Sequence, residues 1–399
     1  QRQMCIRDSV AALSKPLMVG VRLPMECWPI AQDRVRYNGE PVALVVARSR
    51  YIAEDALGLI EVDYEKCPAV VTPQQALENT CLLHENVGTN LVSDRRFRYG
   101  DPEAAFAQAA HSIDIAVSYP RNSVTPIECY GLIAQYDAFE GAYDVTANFQ
   151  GPFSIHAVIA RALNVPGNKL RLRTPPASGG SFGVKQAIFP YIVLAGIAAR
   201  VAGGPVKWVE DRLEHLMAAV SATNRETILK AAVDETGKIL ALDWDQIEDV
   251  GAYIRAPEPA TIYRMHGNMC GAYDIQNLAI RNRVVVTNKT PTGLVRGFGG
   301  PHVYFALERL LRRIAQVLKL DELAVIERNL IPAGAFPYRT ASGALYDSGD
   351  YQRALEIART DGNLAGLYAK RDEARAQGRL YGIGFAAAVE PSAVSYTHL

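Results

Sequence analysis

Short β-branched runs that alternate with amphipathic helical stretches predict an α+β fold of two unequal domains for this 399-residue chain. Three observations carry the prediction. Runs such as "GLIAQYD" and "ILALDWDQIED" alternate apolar and polar residues with the period of a strand, whereas "VYFALERLLRRIAQVL" spaces Leu and Ile at nearly 3.6 residues. Hydrophobic residues make up 49% of the chain against 21% charged, which is ample material for large cores. At roughly 150 residues per domain, the length suits two or three domains.

In chain order, the first stretch "QRQMCIRDS" and the last, "VSYTHL", lack any periodicity or turn logic that joins them to their neighbours. Residues 1–9 and 394–399 are therefore expected to be non-native ends. "RVRY", "EPVALVVARS" and "EVDYEK" read as strands and "RYIAEDALGLI" as a helix, giving a compact unit that ends near Glu78 within a domain spanning 10–95. Residues 82–101 are polar and irregular and read as the connection. The larger domain, 96–393, opens at "HSIDIAVSYP" and has strands at "GLIAQYD", "YDVTANF", "KLRLRT", "PVKWVED", "ETILKAAVD", "ILALDWDQIED" and "LAIRNRVVVTN". Its helices fit "FSIHAVIARAL", "AIFPYIVLAGIAARVA", "VYFALERLLRRIAQVL" and "DELAVIERNL", while "YAKRDEARAQGR" reads as a solvated helix face.

Forty-two basic residues balance forty-two acidic ones, so no overall field attracts nucleic acid or an anionic membrane. The apolar stretch from Ala187 to Ala199 stops at Arg200, short of the roughly 20 residues a spanning helix needs. A cytoplasmic protein with no nucleic-acid or membrane partner is expected, since no signal-peptide pattern opens the chain. Cys5, Cys27, Cys67, Cys81, Cys129 and Cys270 contain no C-x-x-C pair. That argues against a zinc ribbon, a redox dithiol or an iron–sulfur cluster held by this chain.

Two glycine-rich strings, "ASGGSFGVKQ" (177–186) and "LVRGFGGPH" (294–302), each follow a predicted strand and precede a predicted helix. Backbone N–H groups there could converge on an anion. The first lacks the Gly-Lys-Ser/Thr run of a phosphate loop and the second lacks the last glycine of a dinucleotide fingerprint, so neither supports ATP or NAD. Tight turns would explain a single Gly-Gly pair. Each string, however, sets a phenylalanine (Phe182, Phe298) among small residues, an arrangement natural against a bound planar group. No G-x-S-x-G elbow or H-E-x-x-H spacing accompanies them. His156 and His302 read as structural, and Glu128 in "PIECYG" is left open as a buried structural acid.

These strings carry a resemblance. "GGSFGVK" resembles the "GGGFGGK" element, and "VRGFGGP" the "FRGFGGP" element, of the molybdenum-binding subunit of the xanthine oxidase and aerobic carbon monoxide dehydrogenase family. "FQGPFSIHAVIARALNVPGNKLRLR" and "IYRMHGNMCGAYDIQNL" fall at matching distances ahead of them, and "RVRYNGEPVALVVA" with "EVDYEKCPAVV" looks like the family's α/β hammerhead domain. The resemblance implies an α+β chain made of a partial hammerhead domain followed by the first molybdopterin-binding domain. It also implies a molybdenum–molybdopterin cofactor in its cytosine dinucleotide form.

Under this resemblance, Gln150 is the glutamine whose amide contacts an oxygen ligand of molybdenum. Gly180, Phe182 and Gly183 are loop residues beside the cofactor, and Arg296 with Gly297 approach the dithiolene. Phe298 meets the substrate ring edge-on, and Arg264 stabilises charge developing on the substrate. No side chain is implied as a direct metal ligand. Gln186 stands where xanthine oxidisers carry a glutamate, and the chain lacks the cysteine-containing "AYRCSFR" of carbon monoxide oxidisers. Hydroxylation of an aldehyde or N-heteroaromatic carbon is the implied reaction. The general-base glutamate is expected beyond the chain end. A 2Fe-2S cluster and FAD are expected on partner subunits, an iron–sulfur subunit and an FAD subunit, in a dimer of heterotrimers. A non-catalytic assembly scaffold, a carbon monoxide dehydrogenase-like enzyme and a nucleotide-binding enzyme of another class are the alternatives.

Overall fold

Two β-sheets and the helices packed on them set the geometry of the larger domain in this computed structural model, which describes residues 4–5, 7–17 and 25–390. In the five-stranded sheet the strands run Leu91–Tyr99, Leu278–Val285, Ile239–Asp249, Asn224–Val233 and His111–Tyr119 from edge to edge. The Ile239–Asp249 and Leu278–Val285 pair is parallel, with Leu242 opposite Leu278, and the remaining pairs are antiparallel. A four-stranded sheet orders Leu170–Arg173, Ala142–Ala147, Gly131–Asp137 and Val206–Val209.

Period-two patterning decides which face each strand buries. Along Ala142–Ala147, Tyr143, Val145 and Ala147 are buried and their neighbours are not, because successive side chains leave opposite faces of the pleat. Helix Phe189–Ala202 packs behind this sheet and is buried nearly all round, as its uniformly apolar sequence demands. The stretch Val184–Ala202 is long and apolar enough to cross a membrane, yet 78% of it is buried inside the fold, which makes it a core helix. Helix Gly300–Leu318 covers the five-stranded sheet with Val303, Leu307, Leu310, Leu311 and Ile314, while its charged residues line the other face.

The predicted elements of the larger domain form within a few residues of the expected bounds. The N-terminal part differs. Of "RVRY", "EPVALVVARS" and "EVDYEK", only Val45–Val46 forms a strand, paired with Met4–Cys5, and residues 61–66 are extended and exposed with no ladder partner among the described residues. Helix Arg50–Leu57 forms as expected, capped by the Ser49 hydroxyl. The polar stretch read as a connection contains the nine-residue edge strand Leu91–Tyr99. Residues 7–13, expected to straddle a foreign end, form a helix whose Val10 is fully buried, whereas 394–399 lie outside the described residues.

Candidate functional site

The two glycine strings, far apart in sequence, meet in space. The Arg296 backbone N–H donates to the Phe182 carbonyl at 2.8 Å, tying one loop to the other. At Gly183 (φ +104°) a Cβ would stand 2.5 Å from the carbonyl oxygen of Leu294, so only glycine permits this approach. Phe182 and Phe298 both have positive φ, +52° and +23°. Non-glycine residues in that region store of order 1–3 kcal/mol of strain each and concentrate at functional loops.

Gln150 ends the segment after strand Ala142–Ala147 and precedes helix Pro152–Ala162. Ser181 Oγ donates to its Oε1 at 2.7 Å, which leaves the amide N–H groups of Gln150 free to donate away from the first string. The exposed Arg296 guanidinium has no ion pair or side-chain hydrogen bond among the described residues. Gln186 lies against the same turn, its Nε2 donating to Ser154 Oγ at 3.1 Å, and its Oε1 is buried without a partner. A small open cleft at the second string is lined by Tyr119, Thr223, Thr261, Arg296, Phe298 and His302.

Arg264 is placed differently from the other candidates. Its Nη2 pairs with Glu390 at 2.9 Å and its Nη1 donates to the Phe298 carbonyl at 3.3 Å, so it braces the second string from behind. His156 bonds the Leu170 carbonyl and His302 the Thr223 carbonyl, the structural roles expected of them. Burial pushes His302 down to about 3, so the ring is neutral. Cys129, Glu210 and His215 bring ligand-type atoms together, but Glu210 already accepts from His215 Nδ1 and the Tyr130 N–H, satisfying the pair internally.

Glu128 is not a buried acid standing alone. Its Oε2 accepts from the Gly179 N–H at 3.0 Å, from Ser178 Oγ at 3.2 Å and from Lys185 Nζ. Despite a burial penalty that raises it, hydrogen bonds from Lys185, the Gly179 N–H and Asn148, with the lysine's charge, bring its carboxyl down to about 2. Sequence reasoning met Lys185 only as a residue of the first string, including the matched "GGSFGVK", and assigned it no partner. The clue it left unused was a lysine in an otherwise apolar run, which requires an acid nearby.

These residues fit an anionic, oxygen-rich group: free amide donors at Gln150, an unpaired cation at Arg296, and glycines that bring two backbones close. Comparison with known proteins agrees. Residues 83–330 match the family model of the molybdopterin cofactor-binding domain, and 8–68 that of the aldehyde oxidase and xanthine dehydrogenase a/b hammerhead domain. The chain belongs to this family of molybdopterin-binding proteins. It is 33% identical to the 6-hydroxypseudooxynicotine dehydrogenase complex subunit gamma of Paenarthrobacter nicotinovorans, over 89% of this chain and 45% of that one. It is 32% identical to the carbon monoxide dehydrogenase large chain of Hydrogenophaga pseudoflava, over 82% and 43%. The structure of quinoline 2-oxidoreductase from Pseudomonas putida 86 superposes with a TM-score of 0.87 at 30% identity, covering 95% of this chain and 49% of that one. The chain thus spans about half the length of these relatives.

Proposed function

We propose that this chain is the cofactor-holding part of an oxidoreductase that hydroxylates an aldehyde or N-heteroaromatic carbon with oxygen from water. The observation that carries the reading is the Arg296–Phe182 backbone bond, which brings both glycine strings to one cleft. A bound molybdenum–molybdopterin, in this reading the cytosine dinucleotide form, would supply the two-electron redox chemistry. Gln150 would donate an amide hydrogen bond to a cofactor oxygen, its orientation fixed by Ser181. Gly180, Phe182, Gly183, Arg296 and Gly297 would hold the cofactor's flank, Phe298 would position the substrate ring, and Gln186 would line the substrate side. Arg264 would act through the second string that it braces. Ile127 is 94% exposed, Phe153 95% and Phe182 47%, and all three belong to segments that build the site. Apolar exposure of that kind supports one wall of a cleft whose other wall comes from elsewhere in the whole protein, along with the base. Partner subunits are supported by relatives named as a large chain and a complex subunit; in this reading they carry 2Fe-2S and FAD in a dimer of heterotrimers located in the cytoplasm.

The test is Gln150→Ala in the whole enzyme. Turnover should fall by about 10- to 100-fold while molybdenum per protomer stays near the wild-type value, the loss expected for one hydrogen bond to a charged or strongly polarised oxygen. Metal loss in step with activity would reassign Gln150 to cofactor retention. A carbon monoxide assay on the same enzyme tests the second reading, favoured by the identity to the carbon monoxide dehydrogenase large chain.

A further inference from the structure

The first glycine string would not hold its shape by backbone bonding alone. Three of its residues, Gly180, Phe182 and Gly183, have φ of +93°, +52° and +104°, and small residues surround them. What closes it is an acid from a different segment. Glu128 touches both ends of the string: Ser178 and Gly179 at the start, Lys185 at the finish. The Glu128 N–H also donates to the Gly179 carbonyl at 3.2 Å, so Glu128 meets Gly179 with both its backbone and its carboxylate. Their approach is tight enough that a Cβ on Gly179 would stand 2.6 Å from Glu128 Cβ.

Lys185 makes the arrangement more than a turn. Its side chain is 1% exposed, and its ammonium is shared between Glu128 and Ser178 Oγ at 3.3 Å. A lysine is almost never buried without a partner, because taking its charge out of water is costly. The buried ammonium therefore anchors the carboxylate, and the carboxylate anchors the loop. Beside it the Tyr130 hydroxyl donates to the Val184 carbonyl at 2.9 Å, fixing the same turn from the residue two positions after Glu128.

We infer that Glu128 and Lys185 form a clamp that closes the first glycine string into its cofactor-receiving shape, which makes Glu128 a positioning residue for the site. The inference rests on the reading of that site as a molybdopterin cradle. Glu128 itself donates nothing to the cofactor and acts only through the amides of 178–185.

The test uses the whole protein with its natural partners and two variants. Glu128→Gln keeps an acceptor for the Gly179 N–H but strands the lysine charge; Lys185→Met keeps the stem and removes the cation. Hydrogen–deuterium exchange should quicken about tenfold at amides 179–184 in both variants; in Lys185→Met exchange in helix Gly300–Leu318 and the unfolding midpoint stay within error, whereas Glu128→Gln lowers the midpoint because the lysine charge is left buried without its partner. Molybdenum content should fall, and in the fraction that retains metal kcat should drop with KM little changed. Unchanged exchange across 179–184 in both variants would overturn the clamp. So would faster exchange spread over the whole domain in Lys185→Met, which would mark a merely structural pair. Wild-type protein without molybdenum would overturn the cradle reading instead, and loop exchange would still decide the clamp.

Discussion

His302 shows how a residue at the cleft can be recognised as scaffold. Its Nε2 bonds the Thr223 carbonyl at 2.9 Å, its ring rests 4.4 Å from that of Tyr119, and burial lowers it from 6.5 to about 3. Folding therefore favours the neutral ring, and the unfolded chain takes the proton first as pH falls. The stability it contributes is complete above pH 6.5 and is lost progressively between there and 3. Comparing urea midpoints of the wild-type protein and His302→Gln from pH 7.5 to 4 should show the variant losing less, by at most roughly 1.4 kcal/mol per pH unit. His84 and His266, both lowered to about 4 by burial, preserve part of the slope in the variant. Parallel pH profiles for the two proteins would show that His302 is not held neutral.

At the scale of elements, helix Gly300–Leu318 links packing to the site because it begins where the second string ends. Gly299 (φ +84°) precedes it, and a Cβ there would stand 2.3 Å from the Thr261 carbonyl oxygen. At that same end the Gly300 N–H donates to the Gly297 carbonyl at 2.9 Å and Pro301, which has no N–H, stands in the first turn. The helix is held by its apolar stripe, in which Leu310 is fully buried among the residues covering the five-stranded sheet. Leu310→Ala should cost about 2–5 kcal/mol in a denaturant titration, and a loss under 1 kcal/mol would show that the stripe does not anchor it. This helix was legible in the sequence since its periodicity is local. The edge strand Leu91–Tyr99 was not, because Arg95, Arg96 and Arg98 mask its alternation and its partner, Leu278–Val285, is remote in sequence. "EVDYEK" has the composition of a strand, but β-propensity yields a strand only where a neighbour supplies the other half of the ladder. The same limit applies at the site: the strings could be read directly and Gln150 came only with the family resemblance, whereas the Arg296–Phe182 bond and the Glu128–Lys185 pair exist only after folding.

At the scale of the whole chain, balanced charge gives these 399 residues no overall field, so in the proposed reading selection falls to individual polar groups at the site. In that reading Gln186, beside the first string, is the polar side chain with the clearest leverage. Its amide is held by Ser154, and its buried Oε1 can accept one hydrogen bond but carries no charge. A purine held by a carboxylate gains a charge-assisted contact of about 1.5–3 kcal/mol that an amide does not provide, or roughly ten- to over a hundredfold in specificity. Burial strengthens the contrast, since a neutral acceptor in a low-dielectric pocket favours a neutral ring. The complete enzyme should therefore show a higher kcat/KM for a quinoline-type heterocycle or an aromatic aldehyde than for xanthine. Gln186→Glu should narrow that difference by raising the xanthine value. Xanthine as the best of the three substrates for the wild-type enzyme would refute the role given to Gln186, while leaving the fold and the cofactor cradle as they stand.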